Sequence, residues 1–316
     1  MQSRLNLIIG EFIIRQETIL IFQNILGMNK YLFTLIVCAI ALFTSCGNKS
    51  TQIVTDGIGE FSVSANKKVT FSPGNLRYNP AYGTWAFAEH QVFCSGVENE
   101  LLSTGGDIWI DLFCWSTSGN EDTKWGVTST WDNKEFSGRF VDWGKTEIDG
   151  YEPNTWRTLT GEEWEYILYH RPNASSLCGI AQVMGVNGFV LLPDNWQWQS
   201  NIRFRNGILI TYTEDFSIFQ AFTYEQWEQL EQQGAVFLPA AGDRLETDYN
   251  FTFSDATRDD VLGAYWSSSK SSECLTLEEK SIVGNMAAYF TFQSNNVGVY
   301  EHTCVYGLSV RLVHDL

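Results

Sequence analysis

Alternating hydrophobic and polar positions predict a β-hairpin at the start of the main segment of this chain. Phe61 and Val63 alternate with polar neighbours, and Val69 and Phe71 do the same after a polar turn at residues 66–67. A period of two is typical of a strand that buries one of its faces. The two strands are therefore expected to pair and to place their apolar side chains on one side.

A second hairpin is predicted around the turn at residues 79–83. Leu76 and Tyr78 precede this turn, and Trp85 and Phe87 follow it at matching distances. The turn contains Asn, Pro and Gly, which are the residues that tight turns favour. The aromatic and aliphatic side chains on its two sides are therefore expected to face each other.

Two helix starts resemble each other. Thr160 and Glu163 have the spacing of a capping box, in which a hydroxyl and a carboxylate each bind a free backbone N–H, and Thr223 and Gln226 repeat it. Both segments continue with apolar residues at helical spacing. These residues are Trp164, Ile167 and Leu168 in the first helix and Trp227 and Leu230 in the second.

Short apolar segments predict a strand after each helix and three strands near the C-terminus. They lie at residues 188–193, 235–239, 264–269, 287–293 and 306–313. The recurrence of helix, strand and proline fits either an internal duplication or chance. Strands at both ends with two helices between them predict an α+β domain, with the helices packed on antiparallel sheet and with long loops.

Residues 28–46 have the form of a secretory signal. Lys30 gives a basic start, residues 31–43 are an uncharged run of thirteen, and small side chains lead to Cys46. This arrangement is typical of a signal peptide. As a helix the run would extend about 20 Å, short of the roughly 30 Å hydrocarbon core, so a stable membrane span is not expected.

The cysteine that ends this segment resembles the lipobox of bacterial lipoproteins, in which the thiol is acylated and becomes the mature N-terminus. The resemblance implies lipidation of Cys46 and an outer-membrane lipoprotein, with periplasmic and surface-facing display both open. Residues 1–27 carry scattered charges and no cleavage pattern, so translation is expected to start at Met28; a genuine amphipathic extension is the alternative. Residues 47–56 then form a tether and residues 57–316 a single domain.

The acidic balance of the chain restricts its partners. Removing the three basic and two acidic residues of segment 1–46 from the totals of 20 and 37 leaves 17 Lys and Arg against 35 Asp and Glu. Such a surface repels phosphate backbones and anionic lipid headgroups. Nucleic-acid binding and electrostatic docking on a membrane are therefore not expected.

Five cysteines follow the expected lipid anchor: Cys94, Cys114, Cys178, Cys274 and Cys304. Export would place them in an oxidising compartment, where disulfides can form. The expected pairs are Cys94 with Cys114 and Cys274 with Cys304, which leaves Cys178 as a buried thiol. The alternative is that all five are small core residues. No two have a C-x-x-C spacing, so no metal site is predicted.

Several segments of the chain resemble two related families. Blocks similar to those of formylglycine-generating-enzyme-like domains lie at residues 156–166, 265–269 and 306–313. Blocks similar to those of Bacteroidetes lipoproteins related to the Fibrobacter major paralogous domain lie at residues 71–76, 110–113, 191–194 and 237–242. The resemblance covers residues 57–313, and it implies a C-type-lectin-like fold presented on a lipid anchor.

The sequence lacks the residue patterns that the related enzymes use for catalysis. Formylglycine-generating enzymes use a closely spaced cysteine pair in their C-terminal part, whereas Cys274 and Cys304 lie thirty residues apart. Iron-dependent sulfoxide synthases of this fold need a three-ligand histidine motif, and the four histidines of this chain show no i,i+4 spacing. We therefore predict no catalytic residue and no cofactor.

The resemblance implies that the segment between the second helix and the final strands faces a ligand. Its carboxylate, guanidinium and phenol groups suit hydrogen bonding to a polar ligand, and a solvated acidic loop is the alternative. A nearby turn rich in Asn borders the same face. The candidate ligand-binding residues are Asp243, Arg244, Tyr249, Asn250, Asp255, Asp259, Asp260, Asn295, Asn296 and Tyr300.

Together these features predict a non-catalytic lipoprotein of the cell envelope that acts as a binding or adhesion module. Its partner would be an extracellular glycan or protein, held by loops on a rigid sheet. One alternative is a structural or accessory subunit of an envelope complex. Another is a divergent enzyme on the same scaffold.

Overall fold

The computed structural model describes residues 58–96, 98–99, 107–116, 140–197, 220–245, 248–250, 262–271, 286–293, 296–304 and 306–316. They belong to one compact unit, Val54–Leu316. In these ranges most regular structure is β-strand, arranged in several small sheets, with two α-helices. The predicted α+β class is confirmed at this level.

The elements follow one another from the N-terminal to the C-terminal end of the described chain. In order the strands are β1 (Ile58–Ser64), β2 (Lys67–Phe71), β3 (Leu76–Asn79), β4 (Thr84–Phe87), β5 (Arg157–Thr158), β6 (Cys178–Val183), β7 (Val186–Leu191), β8 (Gln220–Phe222), β9 (Val236–Pro239), β10 (Asp243–Leu245), β11 (Asp248–Asn250), β12 (Leu262–Lys270), β13 (Met286–Gln293), β14 (Asn296–Thr303), β15 (Tyr306–Gly307) and β16 (Leu312–Asp315). The α-helices are α1 (Gly161–Glu165) and α2 (Tyr224–Glu231). None of the helices in these ranges is long and apolar enough to span a bilayer.

Both ends of the described chain lie in one antiparallel sheet, in the order β1-β2-β16-β5. Phe61 pairs with Val69, which confirms the first predicted hairpin. Phe71 pairs with Val313 of the last strand. The C-terminal strand thus closes onto the N-terminal hairpin, and the sheet links residues far apart in sequence.

The second predicted hairpin is confirmed with its register. Leu76 pairs with Phe87, and Tyr78 pairs with Trp85. The Asn79 carboxamide oxygen accepts hydrogen bonds from two backbone N–H groups inside the turn, at 3.0 and 3.3 Å. This side chain replaces backbone partners that the tight turn cannot supply.

Both helices begin where the sequence predicts them. The Thr160 hydroxyl accepts from the Glu163 backbone N–H at 3.1 Å, and the Glu163 carboxylate accepts from the Thr160 N–H at 2.9 Å. Thr223 and Gln226 form the same reciprocal pair in front of α2. Helix α1 continues into a π-helical turn, Tyr166–His170.

Helix α2 packs on the sheet with strand order β8-β6-β7-β9. Trp227 contacts Phe237 of this sheet, with ring centroids 5.6 Å apart and close to perpendicular. Strands β7 and β9, which were predicted to follow the two helices, pair with each other. Strand β6 was not predicted from the sequence. An antiparallel sheet was expected from the sequence. Strand β8 runs parallel to β6, so this expectation is wrong for that pair of strands.

The sheet with strand order β12-β13-β14 separates two hydrophobic clusters. On one face Phe290 stacks on Trp164 of α1, with ring centroids 4.8 Å apart. On the other face Trp266 packs in a second cluster with Trp115. Trp164, Trp227 and Trp266 are all buried in these clusters or beneath α2.

Candidate functional site

Strand register places a row of aromatic side chains on one face of the β12-β13-β14 sheet. Trp266, Tyr289 and Tyr300 lie opposite one another on the three strands. Side chains alternate between the faces of a strand, so His302 lies on the same side as Tyr300. Phe290 points to the opposite face and fills the core against Trp164.

The row becomes more exposed from the sheet centre to its edge. Trp266 is fully buried, and its indole N–H donates to the Phe113 carbonyl at 2.7 Å. Tyr289 is half-buried, whereas Tyr300 on the last strand is 44% exposed. The row of rings is therefore buried at Trp266 and exposed to solvent at strand β14.

Two further rings extend this surface toward strand β15. The centroid of the His302 ring lies 5.3 Å from that of Tyr289 and 4.1 Å from that of Tyr306. Asp243 of β10 and Asn296 of β14 lie at its margins, and the Tyr300 hydroxyl donates to the Asn296 carboxamide oxygen at 2.7 Å. We call this group the tyrosine surface; it consists of Asp243, Tyr289, Asn296, Tyr300, His302 and Tyr306.

The phenols of Tyr289 and Tyr306 stay protonated at neutral pH. Burial raises the pKa of Tyr289 and of Tyr306, and the negative charge of Asp243 adds to both shifts. Their hydroxyl groups can therefore donate hydrogen bonds to a ligand. Asp243 supplies a carboxylate that accepts them.

His302 is neutral at pH 7. Burial lowers the pKa of its imidazole below the usual value of 6.5. The Thr303 backbone N–H donates to the Nδ1 atom of His302 at 2.8 Å, so the ring proton lies on Nε2. The site thus has an uncharged imidazole between two phenol rings.

A glycine lets a fourth tyrosine reach the edge of this surface. The Tyr169 hydroxyl, from the π-helical turn, donates to the Val297 carbonyl at 3.1 Å. A Cβ atom at Gly298 would lie 3.0 Å from Tyr300 Cε2 and 3.1 Å from the Tyr169 hydroxyl oxygen. The absence of a side chain at this position allows both rings to pack over the strand.

The structure brings together three of the ten predicted ligand-binding residues: Asp243, Asn296 and Tyr300. Tyr249 and Asn250 lie on β11, which pairs with β10. Asp255, Asp259, Asp260 and Asn295 lie outside the described residues. Sequence reasoning missed Tyr289, His302 and Tyr306.

The prediction that Arg244 faces a ligand is wrong. Its side chain is completely buried, and one guanidinium nitrogen donates to the Leu112 carbonyl at 2.9 Å. A Cβ atom at Gly307 would lie only 2.8 Å from the same guanidinium group, so the glycine makes room for it. Burial lowers the pKa of Arg244.

The predicted disulfide between Cys94 and Cys114 is not present, and both side chains are thiols. Cys94 packs beside Leu112 and Ala241, whereas Cys114 belongs to a different hydrophobic cluster. Cys178 is a buried thiol, as predicted. Cys274 lies outside the described residues.

Within the described ranges, no three His, Cys, Asp or Glu side chains form a group that could hold a metal ion. Comparisons of the chain with protein-family models, with curated proteins and with solved structures find no match. The chemistry of the site must therefore be argued from its own geometry.

Proposed function

We propose that this chain is a non-catalytic lipoprotein of the cell envelope that binds an extracellular glycan or protein through the tyrosine surface. The observation that carries the proposal is the grouping of aromatic rings from β13, β14 and β15 beside Asp243 and Asn296. These residues lie on strands and not on loops, so their positions are held before a ligand arrives.

The tyrosine surface has the two kinds of contact that a sugar needs. Tyr289 and Tyr300 offer flat apolar faces with a polar tip, a combination that suits a partner with both C–H and hydroxyl groups. Asp243 and the Asn296 carboxamide add acceptors whose positions fix the orientation of a ligand. This composition favours a glycan over an apolar ligand.

The negative charge of the protein restricts the kind of glycan that it can bind. The chain has a formal net charge of −17, and the negative charge of Asp243 acts on Tyr289 and Tyr306 of the surface. An acidic sugar would meet repulsion from both sources. The ligand proposed here is therefore neutral or carries a positive charge.

The proposed scaffold is a C-type-lectin-like domain over residues 57–316. It is supported by the sequence resemblance, and by two capped helices that begin at the expected positions. Residues 265–266, from one of the resembling blocks, are fully buried in the core. The proposed location is the outer membrane, through a lipid on Cys46, facing either the periplasm or the cell surface.

The ligand site is tested by probing glycan and protein arrays with the purified full-length protein in detergent. Replacing Tyr300 by Ala should weaken binding about tenfold or more, because it removes an exposed ring from the centre of the contact. Tyr224→Ala is the matched control, since Tyr224 on α2 is 52% exposed and lies outside the tyrosine surface. It should bind like the parent protein.

Gly298→Ala gives a second variant that keeps every ring. Its new Cβ atom would crowd the rings of Tyr300 and Tyr169 and shift them slightly, so binding should weaken, by less than in Tyr300→Ala, while both side chains remain. The melting temperature shows whether each variant is folded. Equal signals from the parent protein and the Tyr300→Ala variant, or silence of the parent on both arrays, would contradict the proposal.

A further inference from the structure

Two buried cysteines lie side by side beneath the tyrosine surface. Cys114 and Cys304 are both completely buried, and both belong to the hydrophobic cluster that contains Trp115 and Trp266. The Trp115 backbone N–H donates to the Cys304 carbonyl at 3.1 Å. Because Cys114 directly precedes Trp115, this hydrogen bond holds the two cysteine backbones next to each other.

Both cysteines are free thiols in this structure, and the charge state of one affects the pKa of the other. Burial raises the pKa of Cys304, and the negative charge that a Cys114 thiolate would carry raises it further. Such a contribution falls with distance, so it agrees with the proximity that the backbone hydrogen bond gives. Neither thiol is exposed to solvent.

The other described cysteines have different surroundings. Cys94 packs beside Leu112 and Ala241. Cys178 lies in the cluster on the opposite face of the β12-β13-β14 sheet, and its thiol donates to the Ala174 carbonyl at 3.4 Å. Within the described residues, Cys114 and Cys304 are the pair that shares a cluster.

We propose that Cys114 and Cys304 form a disulfide when the protein folds in an oxidising compartment. The oxidant is a disulfide of the thiol–disulfide exchange class. The two cysteines give up two protons and two electrons, one S–S bond forms between them, and the oxidant's S–S bond is reduced to two thiols. The proposal depends on the expected export of the protein and not on its ligand.

The position of this bond gives it a structural role. It would close a loop that contains most of the domain, and loop closure reduces the conformational freedom of the unfolded chain. Cys304 lies between His302 and Tyr306, so the bond would also fix the turn that positions these two rings. Once folded, the bond would be shielded from soluble reductants because both cysteines are buried.

The test is mass spectrometry of the full-length protein purified from cells that export it. Free thiols are alkylated in denaturant without a reductant, and the protein is then digested. The expected result is a peptide that links Cys114 to Cys304, lighter by two hydrogen atoms than its reduced parts, with Cys178 alkylated. Alkylation of both Cys114 and Cys304, or linkage of either one to Cys94 or Cys274, would overturn the proposal.

Melting temperatures give a second test that does not depend on peptide recovery. Each protein is reduced in denaturant and refolded with a reductant present, and its melting temperature is compared with that of the oxidised sample. Cys114→Ser and Cys304→Ser should each abolish the several-degree fall that this reduction causes in the parent protein. The double variant should be no less stable than the weaker single variant, because both changes remove the same bond. Cys178→Ser is the control and should keep the reductant effect. Additive losses, or no reductant effect in the parent, would argue against the bond.

Discussion

Three arginines in the interior obtain their hydrogen bonds largely from neutral oxygen atoms. Arg171 donates to the carbonyl groups of Ile167, Leu192 and Leu177, and Arg311 donates to the Gln91 carboxamide at 2.8 Å. Burial lowers the pKa of Arg311 to about 10, so its guanidinium group stays charged at neutral pH. Burial of these two arginines and of Arg244 costs free energy of desolvation, which these hydrogen bonds offset in part.

Arginine side chains of this kind cannot be placed from sequence. Arg is seldom fully buried in proteins, so a sequence pattern assigns it to the surface by default. The prediction for Arg244 was wrong for this reason. The deciding features are the Leu112 carbonyl and the absence of a side chain at Gly307, and both come from distant parts of the chain.

The proposed location of the protein depends on one residue, Cys46, of the proposed signal segment. If Cys46 is acylated, radiolabelled palmitate should enter the parent protein and should be absent from the Cys46→Ala variant. Cys38→Ala is the matched control, because this cysteine lies inside the apolar run and should not affect labelling. Equal labelling of the parent and the Cys46→Ala variant, or no labelling of either, would exclude the lipid anchor proposed here.

At the scale of single elements, the two capping boxes differ in strength. The Thr160 cap is partly buried, with a 3.1 Å hydrogen bond from the Glu163 N–H. The Thr223 cap is exposed, and its corresponding bond from the Gln226 N–H is 3.4 Å long. A shorter bond away from solvent loses more when its acceptor is removed.

Thr160→Ala should therefore reduce the free energy of unfolding by about 1 kcal/mol or more. Thr223→Ala, the matched variant at the second helix, should cost less than Thr160→Ala. Urea unfolding followed by circular dichroism measures both changes. A loss at Thr223 equal to or greater than the loss at Thr160 would show that cap geometry does not set these stabilities.

Strand β14 shows how an element can be present without being predicted. Its pattern includes Gly298, which has low strand preference, and polar residues at both ends. Its pairing with β13 is nevertheless regular from Met286↔Thr303 to Gln293↔Asn296. The strand is stabilised by a partner and by the rings of Tyr169 and Tyr300, which a local pattern does not reveal.

At the scale of the molecule, one ion network joins four elements. Arg157 of β5 contacts Glu163 of α1 at 2.7 Å and Asp315 of β16 at 2.7 Å. Lys67 of β2 contacts the same two carboxylates at 3.4 and 3.3 Å. The network therefore connects helix α1 to the sheet with strand order β1-β2-β16-β5.

The network predicts a loss of stability in acid. Burial raises the pKa of Glu163 and Asp315, but the hydrogen bonds that they accept and the positive charges of Arg157 and Lys67 together outweigh it, so both pKa values fall below their usual range. At pH values between the folded and the unfolded pKa values of these two carboxyl groups, the unfolded chain therefore binds more protons than the folded chain. The stabilisation is complete above about pH 5 and decreases as the pH falls through the folded pKa values.

Melting temperatures between pH 7 and pH 3 measure this effect. Arg157→Gln should lower the melting temperature at pH 7 and should reduce its further decrease toward pH 3, because the carboxylates lose their partner. Arg77→Gln is a control, since Arg77 stacks on Trp109 and its ion pair, with the Glu89 carboxylate at 3.5 Å, lies at the surface and outside the network. If the melting temperature of the Arg157→Gln variant decreases between pH 7 and pH 3 as much as that of the parent protein, other groups cause the loss of stability in acid.

The candidate site was predictable only in part. Asp243, Asn296 and Tyr300 were found because the family resemblance implies a ligand-facing segment before the final strands and polar residues cluster there. His302 was missed because strand β14 was not predicted. Tyr289 was missed because its position beside Tyr300 depends on the register between β13 and β14. A shift of one residue in that register would move every ring of one strand to the opposite face.

The sequence by itself determined the local features: the two hairpins, both helix caps and the apolar faces that the helices bury. These depend on residues within a few positions of each other, and short-range sterics and hydrogen bonds decide them. Tertiary structure alone decided which strands became neighbours, which arginines were buried and which rings share the tyrosine surface. The physical reason is that a period of two defines two faces of a strand, whereas only packing against distant segments decides which face is covered.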